Sequence, residues 1–247
     1  MGRDASGRAS WRRVGARGML AHREGGAMDA PAEWFDAIRR GDREQVAAGL
    51  KREPALAGAR DASGVSSVTW ACYARQGELL TLLLAHAPAL DLFEAVAAGE
   101  EPRALALLER DASLAHAWSA DGFTALHLAA FFDRPALAAR LLALHADPRA
   151  EARNATRVAP LHSAAASRSL ATVRALIAAG ADVNARQSGG FTALMSAAQA
   201  GDAALAEALL AAGADPSLAT DDGRTAASLA RAAGHAGLAA KLEATGR

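Results

Sequence analysis

The order of apolar and polar positions along the chain recurs at a fixed spacing. The segment Asp121-Gly122-Phe123-Thr124-Ala125-Leu126-His127-Leu128-Ala129-Ala130 returns as Val158-Ala159-Pro160-Leu161-His162-Ser163-Ala164-Ala165, as Gly190-Phe191-Thr192-Ala193-Leu194-Met195-Ser196-Ala197-Ala198 and as Gly223-Arg224-Thr225-Ala226-Ala227-Ser228-Leu229-Ala230. With Thr124, Ala159, Thr192 and Thr225 as markers, the successive steps are 35, 33 and 33. Each block closes on a leucine-rich tail: Leu141 to Pro148, Leu176 to Asn184 and Leu209 to Pro216. A fixed period of this length is the signature of a repeat array.

The residue types at each position have physical reasons. Thr124, Thr192 and Thr225 stand where a hydroxyl caps a helix, each after a glycine that permits the positive φ of a tight turn. Gly180 and Gly213 stand where a second helix ends and a left-handed residue is wanted. Leucine pairs and small alanines then face neighbouring repeats, because a single helical hairpin has no closed core and must be stabilised by stacking. Upstream the pattern persists when the chain is slid along itself by 58: Phe35 to Asp42 aligns with Phe93 to Glu100, and Asp61 to Ser66 with Ser119 to Thr124. This predicts seven units, at about 32–60, 61–90, 91–118, 119–150, 151–185, 186–218 and 219–244. The third is short: the step from the Ser66 marker to its equivalent, placed at Leu90, is only 24, which leaves no room for a projecting turn.

Over residues 119–243 these motifs resemble the ankyrin repeat family, whose 33-residue unit is a turn plus two antiparallel helices with a T-P-L-H-x-A signature. The resemblance implies an all-α ankyrin-repeat solenoid of about seven helix-turn-helix units with short β-turn fingers. It also implies that fingers and first helices form a concave groove that binds other proteins. Departures are visible. Proline takes the second signature position only at Pro160, Ala159 replaces the capping hydroxyl, and Met195 and Ser228 replace the histidine. His86, His145 and Asp111 stand where a helix-ending glycine is usual, which predicts strained or altered ends there.

Partner-binding candidates follow from that reading. Phe123, Phe191 and Arg224 occupy the position after the turn glycine, with Val65 upstream; Phe131, Phe132, Arg168 and Gln199 fall on first helices, with Trp118 beside them. Aromatic residues and arginine are the types that dominate interface energy. The unit after residue 150 is two residues longer than the 33-residue period, and its turn carries Arg153, Asn154, Arg157 and Val158, a basic fingertip suited to an acidic partner surface.

Composition changes this picture little. The 247 residues carry 27 Lys+Arg against 27 Asp+Glu, and zero net charge argues against a chain whose main task is to neutralise nucleic-acid phosphates. Residues 1–27, with six arginines against Asp4 and Glu24, are +4. They are expected to form a disordered basic leader before a repeat domain at 28–247, and Met28 is an alternative start. A nucleic-acid-associated regulator using that arm is the alternative function. One cysteine excludes a disulfide framework, and with no signal peptide and no run of about 20 apolar residues the expected location is the cytoplasm.

No P-loop, dinucleotide fingerprint, nucleophile elbow or H-E-x-x-H occurs in the sequence, so no enzyme, cofactor or small-molecule substrate is expected. His127 and His162, aligned in adjacent repeats, invite a metal pair, but the turn's own hydrogen bonds are the stronger reading. Cys72 aligns with Ala130 and reads as a packed thiol. Glu100 and Glu101 precede Pro102 at a helix start, where carboxylates suit the dipole.

Overall fold

The computed structural model describes residues 32–86 and 89–245. The basic leader 1–27 and the alternative start at Met28 lie outside them. Among the described residues there are fourteen α-helices and no strand, only the isolated bridges Arg60 to Ser66 and Ala219 to Thr225. The chain divides into two compact units between Gly122 and Phe123.

The N-terminal unit pairs α1 (Ala32–Arg40) with α2 (Arg43–Arg52), α3 (Ser67–Tyr73) with α4 (Gly77–Leu84), and α5 (Leu92–Ala98) with α6 (Glu101–Arg110). Short 3-10 helices follow α2 and α6, at Pro54–Gly58 and Ala112–His116. The C-terminal unit holds α7 (Ala125–Phe131) with α8 (Pro135–Ala143), α9 (Pro160–Ser167) with α10 (Leu170–Ala178), α11 (Ala193–Ala200) with α12 (Ala203–Ala211), and α13 (Ala226–Ala232) with α14 (Ala236–Thr245). Within each unit first helices pack on first helices, α1 on α3 on α5 and α7 on α9 on α11 on α13. Second helices form a parallel layer, α2 on α4 and α8 on α10 on α12. Each unit is thus a solenoid of stacked hairpins. Its core is the leucine ladder: Leu79, Leu83 and Leu108 in one unit, and Leu126, Leu137, Leu141, Leu161, Leu176 and Leu194 in the other, are all fully buried. Each such side chain contributes about 1.5–3 kcal/mol by leaving water.

The first helices are capped where a hydroxyl or carboxylate is available. Ser66, Thr124, Thr192 and Thr225 accept from the backbone N–H three residues on. In the third pair the cap is Asp91, one residue after the Leu90 expected from the repeat spacing. Its carboxylate accepts from Glu94 N at 2.8 Å while Glu94 Oε2 accepts from Asp91 N at 2.8 Å, a reciprocal box. Ala159 supplies no acceptor, so only the return half of its box exists, Ala159 N donating to His162 Nδ1 at 3.0 Å.

Second-helix ends follow the glycine rule at Gly180 and Gly213, with φ of 90° and 91°. Of the three residues expected to end helices under strain, only His145 adopts the left-handed conformation, at φ 61°. His86 does not, and Asp111 is extended at φ −147° and caps the 3-10 helix by accepting from Ser113 N. A second left-handed position, between the two helices of every pair, is taken by Gly41, Arg75, Gly99, Asp133, Arg168, Gly201 and Gly234. Three of the seven are not glycine, which hides the position in the sequence.

Candidate functional site

The fingers are narrow hairpins closed by backbone hydrogen bonds, among them Asp61 N to Val65 O at 2.9 Å, Ala152 N to Val158 O at 2.8 Å, Gln187 N to Phe191 O at 3.0 Å and Thr220 N to Arg224 O at 2.9 Å. The 152–158 finger encloses two more residues than the others, which is where the longer period of this unit resides. A left-handed residue turns each finger toward its helix cap. It is Gly64, Gly122, Gly190 or Gly223 in four fingers, and Arg157, at φ 51°, in the long one. Successive fingers of the C-terminal unit are tied together, Ser188 N donating to Thr156 O and Asp221 N to Gly189 O, both at 2.9 Å.

The signature histidines couple helix caps to fingers. His127 Nδ1 accepts from Thr124 N at 3.2 Å and its Nε2–H donates to Val158 O at 3.0 Å. His162 repeats the device one unit on, accepting from Ala159 N and donating to Ala185 O at 3.0 Å. Burial pushes His127 down to about 4 and lowers His162 as well, against the backbone carbonyls that favour protonation. All four ring nitrogens are committed to these bonds. Among the described residues no group of three or more His, Cys, Asp or Glu is placed to hold a metal ion.

In the third pair only six residues, 85–90, separate Leu84 from the Asp91 cap, too short a connection for a finger. Arg60 fills the place. Its guanidinium donates to Gly64 O at 3.1 Å, Asp91 Oδ2 at 3.0 Å and Glu94 Oε1 at 3.1 Å, and the Glu94 side chain is only 6% exposed. With the finger missing, the turn at Gly64 closes directly on Ala120, whose Cβ lies 2.7 Å from where a Cβ on Gly64 would stand.

The ten partner-binding candidates occupy two kinds of place. Around the fingers, Phe123 is half-buried with its ring 5.8 Å from that of His127, Phe191 is half-buried, and Arg224 is exposed beside Asp222 at 2.9 Å. Arg153 and Arg157 are exposed on the long finger, and Arg157 pairs with Glu151 at 2.9 Å, so part of the expected positive tip is neutralised within the finger. Val65, by contrast, is buried. At the far ends of the first helices, Phe131 and Phe132 meet edge to face at 5.1 Å, Arg168 is exposed in the left-handed turn and reaches Asp202 at 3.0 Å, and Gln199 is half-buried on α11. Trp118 is half-buried just after the second 3-10 helix, in the N-terminal unit.

A third cluster is one that the sequence motifs do not announce. On the first helices of the N-terminal unit, Arg39 lies over the Trp70 ring at 5.0 Å, and Trp70 meets Tyr73 edge to face at 6.2 Å. Trp70 Nε1 donates to Asp61 Oδ2 and the Tyr73 hydroxyl to Asp121 Oδ2, each at 2.7 Å. Burial, reinforced by the Asp121 carboxylate, raises the Tyr73 phenol well above its usual value. A faint signal exists: the shift that places Ser66 on Thr124 also places Tyr73 on Phe131. Cys72 is buried as a packed thiol. Glu101 lies in the first turn of α6, while Glu100 makes no capping bond with its side chain.

Comparison with protein families places these features. Residues 121–153 match a model described as "Ankyrin repeat", and residues 161–210 match one described as "Ankyrin repeats (many copies)". No curated protein matches the chain. The repeat spacing, the stacked hairpins with their histidine-tied fingers and the two family matches converge: the chain carries ankyrin repeats over residues 121–153 and 161–210, and such repeats generally serve as protein–protein interaction modules.

Proposed function

We propose that the chain is a non-catalytic cytoplasmic scaffold that binds another protein through the concave face of its first helices and its fingers. The observation that carries this reading is the half-buried edge-to-face pair Phe131–Phe132 at the end of α7, with Arg168 in the turn that follows α9 and Gln199 at the Phe131 position on α11. Rigid aromatic rings and arginine at the ends of neighbouring first helices are the raw material of binding hot spots. Fingers tied to one another by backbone bonds hold Phe191 and Arg224 at fixed spacing, which limits the ordering cost of association. Among the described residues no helix is long and apolar enough to cross a membrane.

The test is affinity capture from the native cell with the full chain as bait, compared with a Phe132→Ala, Arg168→Gly double variant. Glycine suits the left-handed φ of 61° at position 168, so the fold is retained. Recovery of the partner is expected to fall about tenfold or more at unchanged helicity. Equal recovery would remove the first-helix face from the interface.

A further inference from the structure

Between the roots of two fingers in the C-terminal unit lies a half-open hollow of about 670 Å³, within the size range of ligand sites. Three arginines line it, Arg149, Arg157 and Arg186, together with the carboxylates of Glu151 and Asp182. Two of the arginines break the repeat pattern to be there. Arg157 stands where the other four fingers have a left-handed glycine, and keeps a strained φ of 51°. Arg149, two residues after Asp147, stands where the next unit has Asn184. Asn184 makes two bonds, donating to Gly213 O at 3.1 Å and accepting from Asp215 N at 2.8 Å. Arg149 keeps only the first, Nε donating to Gly180 O at 2.6 Å, and its two terminal nitrogens have no partner among the described residues.

The remaining arginines are held but not saturated. Glu151 Oε2 fixes Arg157 through Nε at 3.1 Å and Nη2 at 2.9 Å, and Arg186 Nη2 reaches Asp221 Oδ1 at 3.3 Å. A strained residue retained against a simpler alternative is a mark of function when it converges on a cavity with others of its kind.

We propose that this hollow is a subsite for a carboxylate side chain of an acidic segment in the bound protein. This rests on the reading that the fingers engage a protein partner, and gives that partner a chemistry. The charge of the lining selects the ligand. Glu151 and Asp182 in the lining and Asp221 on Arg186 offset most of the positive charge, so the terminal nitrogens of Arg149 are what a single carboxylate can meet, whereas a phosphate dianion would stand beside three fixed carboxylates. Arginine is suited to the task because its planar fork meets a carboxylate in two parallel bonds.

The test titrates the full chain with a hexaglutamate peptide, a hexaglutamine peptide and inorganic phosphate, following the arginine Nε–H resonances by NMR. The comparison variant is Arg149→Asn, Arg157→Gly, which restores the ordinary repeat residues, so failure to fold does not confuse the result. Hexaglutamate is expected to shift Arg149, Arg157 and Arg186, hexaglutamine to leave them unmoved, and the variant to bind hexaglutamate about tenfold more weakly while melting at a higher temperature. Equal binding of hexaglutamate by variant and wild type, shifts confined to other arginines, or a response to phosphate without one to hexaglutamate would each overturn the proposal. None of these outcomes bears on capture through Phe132 and Arg168, so the two readings fail separately.

Discussion

Acidification from pH 7 to pH 4 is expected to remove about 3 kcal/mol of stability through His127 alone. The ring is almost wholly buried, and burial holds it at about 4 against an ordinary value of 6.5. Between those values the unfolded chain binds a proton that the folded chain refuses, so stability rises with pH across the window and falls as pH drops through it. His162, lowered for the same reason, adds to the slope in the same direction. Asp36, Asp215 and Asp222, whose folded values lie below 3.8, act at more acidic pH. Urea unfolding between pH 4.5 and 7 reads the effect. His127→Gln keeps an acceptor for the Thr124 cap without a titrating group, and the capping-box preference for Gln at this position supports its folding. Its stability should depend on pH distinctly less than the wild type's. Identical pH slopes would show that His127 is not buried neutral between two repeats.

The second large effect concerns the closed-up turn left by the missing finger. Gly64→Ala is expected to cost about 3 kcal/mol, because alanine at φ 81° is strained and its Cβ would stand 2.7 Å from that of Ala120. The Ala120 methyl is fixed to the backbone and has no rotamer by which to retreat. Adding Ala120→Gly should recover the contact part of the loss and leave the backbone part, about 1 kcal/mol. A Gly64→Ala protein as stable as wild type to within about 0.5 kcal/mol, the spread of ordinary surface substitutions, would mean that the two turns do not touch.

What is legible in the sequence is whatever depends on one residue type at one spacing. The caps at Ser66, Thr124, Thr192 and Thr225, the left-handed Gly180 and Gly213 and the two-residue insertion in the long finger all follow from local chemistry that repeats. What escapes depends on contacts between units that no period announces. No motif singles out Arg60, whose role emerges only when the fold brings Asp91 and Glu94 to it. Asp133, Arg75 and Arg168 adopt a glycine's conformation at the turn between paired helices, and nothing in their chemistry requires it. Arg157 reads as a free fingertip charge, whereas Glu151 holds it and its backbone occupies a glycine's place. Trp70 and Tyr73 belong to a unit whose signature is faint, so their kinship with the Phe131 position emerges only once the hairpins are seen stacked.

Hydrogen exchange on the complex with the captured partner reports which helices and fingers the interface covers. Binding through fingers and first helices predicts added protection at 118–124, 152–158 and 186–192 and at the ends of α7, α9 and α11, with the second helices α8, α10 and α12 unchanged. Protection confined to those second helices, or to residues 1–27, would contradict it.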